Sequence, residues 1–468
     1  MKEIDITNLF FLEIIICFLI ILLFIAQIHI LKQIKQTQTT SLAKLCLCEK
    51  TFYYSSYLTK KIALNKLFNL ANSPLLTLYQ KAIKNPQQTS KQILKQIKQN
   101  PKDYNLMLLY ANLCLIQNDT TNFNLSINKI KLPFFANKSL KANYLYLQAQ
   151  NDLYNTDMYS ASKNYSKALK LYQKLNFPYE IAQCYLAIAQ AYRISGIQDV
   201  AFSMLKEAKK IYEKLSLHTQ TAETIAYFGL TELGRENYNV ALEYFAQSID
   251  ITKKHKLQKL HSDISNWVGL SQYLKKDFKN AQSTFTNIIK SKFSSTLALG
   301  FASEMLARIN IKENKYKSAL KNIDIALSNY QKNNHKSGIF ENLYLKADIY
   351  YNQNKYNESK EILIQLIKQK NSTHSTYYIA NAYTLLGLIY LDENKLNLAK
   401  TTFKQALDLE NSNNRLKGAI IDYNNLAETS LKLGNEKEAS KYLNIALEYA
   451  QKIEDNELIN YIRSKLKD

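Results

Sequence analysis

The sequence predicts an all-α architecture: a stack of helical hairpins preceded by a single transmembrane helix. Three observations carry that expectation. Small side chains recur with a period of about forty residues over the last two thirds of the chain. Helix breakers are scarce, with 9 Gly and 5 Pro among 468 residues, which argues for long uninterrupted helices and against turn-rich β structure. One apolar run of membrane-spanning length lies near the N-terminus.

That run covers Leu9 to Leu31, LFFLEIIICFLIILLFIAQIHIL. As a helix it measures about 35 Å, against a hydrocarbon core of about 30 Å. Ile14 to Ala26 is free of charge, while Glu13, Gln27 and His29 fall toward the ends, within reach of the interface. A cleaved signal peptide fits less well, because the start carries Glu3 and Asp5 beside Lys2, the apolar core is long, and HILKQIKQ follows instead of a small-residue cleavage site. Residues 1–31 are therefore expected to be a retained membrane anchor and 32–50 a polar juxtamembrane linker. Lys32, Lys35, Lys44 and Lys50 follow the run and only Lys2 precedes it, which predicts a cytoplasmic body, with the extracytoplasmic side as the alternative. The same lysines are suited to anionic headgroups.

The repeat is legible position by position. A small residue stands at Ala149, Ala189, Gly229, Gly269, Ala307, Ala347, Gly387 and Ala427. Twelve residues later another follows: Ala161, Ala201, Ala241, Ala281, Ala319, Ser359, Ala399 and Ala439. Four residues beyond that comes a bulky apolar one: Tyr165, Leu205, Phe245, Phe285, Ile323, Leu363, Phe403 and Leu443. The steps are 40 residues, with one of 38 between Gly269 and Ala307. Small residues at this spacing let two antiparallel helices approach closely, and the bulky side chain fills the groove beside the contact. Ser195-Gly196, Leu233-Gly234 and Gly434-Asn435 read as turns between helices. A lone hairpin cannot bury its apolar face, so neighbours must stack.

This pattern resembles the tetratricopeptide repeat (TPR), in a variant longer than the common 34 residues. The clearest unit is YTLLGLIYLDENKLNLAKTTFKQALDL, where Leu386-Gly387 and Tyr390 match the first-helix signature and Ala399, Phe403 and Ala406 the second. The resemblance implies a right-handed superhelical solenoid. Eight units are expected over 139–456, with 457–468 as a capping helix. Residues 51–138 are expected to be irregular and helical, with a worn unit at 102–135, where Ala111 is in phase but Phe123 replaces a small residue. All five prolines, Pro74, Pro86, Pro101, Pro133 and Pro178, lie at or before 178 and read as helix starts or breaks.

Composition excludes more than it identifies. The net charge is +22, yet only five of 61 basic residues are Arg, the side chain whose planar fork reads bases and phosphates. A diffuse lysine excess is read as a solvated surface, with nucleic acid or anionic lipid as the alternative partner. Cys46-x-Cys48 lacks structural-zinc spacing, and Cys17, Cys114 and Cys184 stand alone, so reduced, unligated thiols are expected. The six histidines form no His-x-x-x-His pair, no glycine precedes Gly196, and no Gly-x-Ser-x-Gly elbow occurs. No cofactor, metal or catalytic residue is therefore expected. The aromatics, Trp267 included, read as core.

TPR arrays bind peptides or helices along a concave groove lined by the first helix of each unit. Carried onto this chain, the resemblance implies a groove containing Tyr146, Gln190, Arg193, Glu223, Asp263, Asn266, Tyr273, Glu304, Arg308, Glu341, Tyr344, Asp348, Tyr351, Asn381, Asn424 and Glu428, together with Gln150, Gln183 and Thr384. That set holds six carboxylates, two arginines and no lysine, which predicts a basic or neutral bound segment. A carboxylate clamp of the chaperone type is not expected, since the paired positions read Leu186 with Gln190, Asn266 with Leu270, and Tyr344 with Asp348. The functional expectation is a membrane-anchored, non-catalytic scaffold. A signal- or peptide-responsive TPR regulator is the alternative, although no output module is visible.

Overall fold

The computed structural model describes residue 81 and residues 85–467, apart from Asn118, Thr156 and 370–375. The expected anchor at 1–31, the linker at 32–50 and the 51–80 part of the irregular region lie outside the described residues, as do Cys17, Cys46, Cys48 and Pro74. Among the described residues no helix is long and apolar enough to cross a membrane.

Twenty α-helices and no strands are present among the described residues. The first three are α1 (Pro86–Gln99), α2 (Tyr104–Ile116) and α3 (Thr120–Lys129). Eight hairpins follow: α4 (Lys138–Tyr154) with α5 (Met158–Lys174), α6 (Pro178–Ile194) with α7 (Gln198–Lys214), α8 (His218–Gly234) with α9 (Tyr238–Lys254), and α10 (Gln258–Leu274) with α11 (Phe278–Lys290). The series continues with α12 (Thr296–Lys312) and α13 (Tyr316–Lys332), α14 (Lys336–Asn352) and α15 (Tyr356–Ile367), α16 (Thr376–Asp392) and α17 (Leu396–Ser412), and α18 (Leu416–Lys432) and α19 (Glu436–Lys452). The final helix, α20 (Asn456–Lys467), packs on α19. Pro86 and Pro178 open α1 and α6, where a missing N–H leaves no bond unmade.

The forty-residue period has a local cause. Most helices of the stack are 17 residues long, and three residues join each to the next. The turn from α5 to α6 shows the device. Asn176 has φ 54°, its N–H bonds the carbonyl of Gln173, and Phe177 N–H bonds Tyr172 O. This is a Schellman motif, which satisfies orphan carbonyls at the helix end. Phe177 then serves as the N-cap of α6, so no residue is left over. The left-handed residue recurs about every twenty positions, most often as Asn, which tolerates that region better than most side chains. Gly196 and Gly434 hold the same place. The Leu233-Gly234 signal falls two residues early: Gly234 ends α8, and the left-handed residue is Glu236. The single 38-residue step arises because α11 has 13 residues and reaches α12 through 291–295.

All sixteen small positions are enclosed, and the eight bulky side chains beside them are at most 4% exposed. Composition is matched within hairpins. Gly229, Gly269 and Gly387 face Phe245, Phe285 and Phe403, and a Cβ on these glycines would lie 2.6, 2.7 and 2.5 Å from the ring. Where the partner is Leu or Ile, the small residue is Ala: Ala189 with Leu205, Ala307 with Ile323, Ala347 with Leu363, Ala427 with Leu443. Ala149 with Tyr165 is the exception. Seven of the eight seams thus hold nearly constant volume, as close-packed interiors require. Trp267 is fully buried, 5.9 Å from the Phe245 ring.

First helices of successive hairpins touch one another as well as their own partners, whereas second helices mainly touch the first helices flanking them. The first helices therefore form the inner wall of the stack. In α8 every residue from Gln220 to Leu233 is buried. Second helices, such as α7 and α9, bury only one face.

Candidate functional site along the inner helices

Several polar side chains of the inner wall are bonded from one hairpin to the next. The densest cluster surrounds Arg308 on α12. Its guanidinium donates to Glu304 Oε1 on the same helix at 3.3 Å and to Glu341 Oε1 on α14. Glu304 is fully buried and also accepts from Tyr330 Oη at 2.9 Å and Asn342 Nδ2 at 3.0 Å. Glu341 accepts a further bond from Tyr378 Oη of α16 at 2.7 Å. Two buried carboxylates thus share one arginine and three neutral donors, tying three consecutive inner helices together. A charge at such depth persists only where partners of this kind surround it.

Weaker versions occur along the wall. Gln190 Nε2 of α6 donates to Tyr227 Oη of α8. Asn266 Nδ2 of α10 donates to the Ala298 carbonyl of α12 at 3.2 Å, and Ser295 Oγ donates to Asp263 Oδ1 at 3.3 Å. Thr384 Oγ1 of α16 donates to Asp422 Oδ1 of α18 at 2.8 Å. Beside that last pair, Arg415 lies 3.0 Å from Glu410 and its guanidinium covers the Tyr377 ring at 4.8 Å. Burial pushes the Asp422 carboxyl up to about 8 and the Glu410 carboxyl to about 7.

The structure divides the sequence-derived groove set. Arg193, Glu223, Asn266, Glu304 and Glu341 are buried within the stack. The side chains that remain partly exposed are Tyr146, Gln150, Gln183, Gln190, Asp263, Tyr273, Arg308, Tyr344, Asp348, Tyr351, Asn381, Thr384, Asn424 and Glu428. Gln183 Nε2 donates to Tyr179 Oη, and Asn424 Nδ2 to the Ile420 carbonyl one turn back. Tyr146 packs edge-on to Tyr165 at 5.2 Å, and Tyr273 to Phe278 at 5.4 Å. Tyr344, Asp348 and Tyr351 share α14, with Tyr351 at 5.9 Å from Tyr356.

The wall is less acidic than its composition implies. Glu304 and Glu341 are paired with Arg308, and Glu428 lies 3.4 Å from Lys432. Burial raises the Asp263 carboxyl to about 7 and moves Asp348 upward. The sequence reading missed the partners Tyr330, Asn342, Tyr378, Asp422 and Tyr227. A usable signal existed: the bonded pairs 190/227, 304/342, 341/378 and 384/422 are 37 or 38 residues apart, just short of one repeat.

Cys114 and Cys184 are free and buried, and burial raises both thiols, Cys114 to about 11. A shallow cavity of about 380 Å³ opens where α9 meets α10, lined by Lys256, Leu257, Lys259, Lys292 and Phe293 among others. It lies at the inter-hairpin turns and includes none of the groove residues.

Comparison with known proteins agrees with this architecture. The tetratricopeptide repeat family model matches residues 340–373, 380–413 and 423–453, which are the hairpins α14–α15, α16–α17 and α18–α19. A search of curated proteins returned no match. Among solved structures, a Signal Transduction ATPase with Numerous Domains protein with a tetratricopeptide repeat sensor, from Pyrococcus horikoshii, aligns at 15% identity and TM-score 0.51. The alignment covers 74% of this chain and 55% of that one. The apo quorum sensor NprR from B. thuringiensis aligns at 15% identity over 84% of this chain and 98% of its own, with TM-score 0.49. A Rap protein complexed with Competence and Sporulation Factor aligns at 15% identity over 86% and 99%, with TM-score 0.48. The described residues form an all-helical solenoid similar in fold to the Pyrococcus horikoshii protein, and the tetratricopeptide repeat family model matches its last three hairpins.

Proposed function

We propose that this protein is a non-catalytic scaffold that holds a segment of another protein against the inner helices α14, α16 and α18, and that residues 1–31 anchor it in a membrane. The observation that carries the reading is the division of the inner wall. Its charged centre is consumed by contacts between hairpins, while Tyr344, Asp348, Tyr351, Asn381, Asn424 and Glu428 stay partly exposed on successive first helices. Two tyrosines with amide neighbours make an amphipathic surface that ordered aromatics supply at low entropic penalty. Because little unpaired negative charge remains, a neutral segment fits better than a strongly basic one.

The test is a peptide array probed with the full-length chain and with a Tyr344→Ala/Tyr351→Ala variant. Neutral segments with apolar anchors are expected to bind, and the variant is expected to weaken binding on the order of tenfold or more, as loss of buried aromatic anchors does. Selection of acidic segments, or equal binding by the variant, would remove the groove from this account.

A further inference from the structure

We infer that the loop between α3 and α4 is a membrane-contact element that inserts two phenylalanines into an anionic lipid bilayer. Phe134 and Phe135 are 95% and 87% exposed, more than any other large apolar side chain among the described residues. They sit side by side at the tip of a turn that is itself held in place. Ala136 N–H bonds the Pro133 carbonyl at 3.0 Å, and Lys141 Nζ donates to the Phe134 carbonyl at 2.5 Å. Two adjacent rings in water are unfavourable, and this turn keeps them outside the core although the preceding Ile127 and Ile130 belong to a buried hydrophobic cluster.

Charge identifies the occupant. Lys129, Lys131, Lys138 and Lys141 flank the tip, and no acidic residue occurs between Asp119 and Asp152. The lysines are exposed or partly so, and Lys141 lies 5.5 Å from the Phe134 ring. A convex apolar tip inside a basic collar matches the layering of a bilayer: rings at the acyl boundary, ammonium groups among anionic headgroups. Phenylalanine has no hydroxyl or indole N–H to keep at the interface, so it can enter fully. The inference is independent of the groove reading and of the anchor, since its residues belong to neither.

The experiment uses the full-length chain carrying Phe134→Trp, brought into vesicles by detergent removal. Native Trp267 is fully buried and supplies a constant background measured on the unsubstituted chain. With phosphatidylserine-containing vesicles, the introduced indole is expected to shift to the blue and be quenched by brominated acyl chains. Both responses should fall in a Lys131→Gln/Lys138→Gln background and in phosphatidylcholine alone. Absence of quenching while the chain sediments with the vesicles would overturn the proposal, as would a blue shift already present without lipid. Quenching of equal size in phosphatidylcholine would overturn the role given to the lysines. A response to single-stranded oligonucleotide but not to lipid would assign the loop to nucleic acid instead.

Discussion

The seam inside each hairpin and the junction between neighbouring hairpins along the inner wall are built from opposite materials. Inside, contact is apolar and local, a small residue against a bulky one such as Gly387 against Phe403. Between hairpins it is partly polar and distant in sequence, as where Arg308 joins Glu304 to Glu341. The seam tolerates exchange as long as total volume is kept, which is why both Gly/Phe and Ala/Leu pairs occur along one chain. The junction does not, because each buried charge depends on a partner in the next unit. A stack held this way gains cohesion and register at the junctions, while the seams supply most of the burial.

The largest effect is expected at the junction. Arg308→Met removes the one cation shared by two buried carboxylates and should destabilise the chain by about 3–5 kcal/mol. Denaturant unfolding would measure it, and adding Glu304→Gln should recover part of the loss. Little effect from Arg308→Met would mean that water or rearranged neighbours satisfy the carboxylates.

At the seam, Gly387→Ala places a Cβ against the Phe403 ring and should destabilise by about 1–3 kcal/mol through overpacking. Combining it with Phe403→Leu recreates the Ala/Leu pair found at Ala427 and Leu443, so the double variant should be more stable than the sum of the singles implies. Strict additivity would show that the matched volumes are coincidental.

A smaller, pH-dependent effect belongs to Asp422. Burial raises its carboxyl from 3.8 to about 8, so the folded chain holds a proton there that the unfolded chain releases. Stability should therefore be undiminished by this group at acid pH and decline as pH rises toward about 8. Asp422→Asn should flatten the pH dependence of the unfolding midpoint without abolishing it, because Glu410 is shifted in the same direction. An unchanged slope would exclude Asp422 as its source.

Much of the fold was legible beforehand. The small and bulky positions fell where the period put them, because steric exclusion at a helix contact acts on individual residues. The 38-residue step was visible in the sequence, but its cause, the shortened α11, was seen only in the structure. The groove was legible only in part. Glu304 and Glu341 are polar and occur on first helices, so nothing in the sequence separated them from Tyr344 or Asn381. What distinguishes them is a partner some 33 to 38 residues away, which depends on how one hairpin seats on the next.

The sequence by itself determined the helical hairpins, their period and their apolar seams, since these rest on near-neighbour sterics and turn chemistry along a single chain. The tertiary structure decided which polar groups are enclosed and which face outward. Enclosure is a property of several helices at once, and it sets both the partner of Arg308 and the protonation of Asp422. It also decided that Phe134 and Phe135 stand in the open, where composition alone would have assigned them to the core.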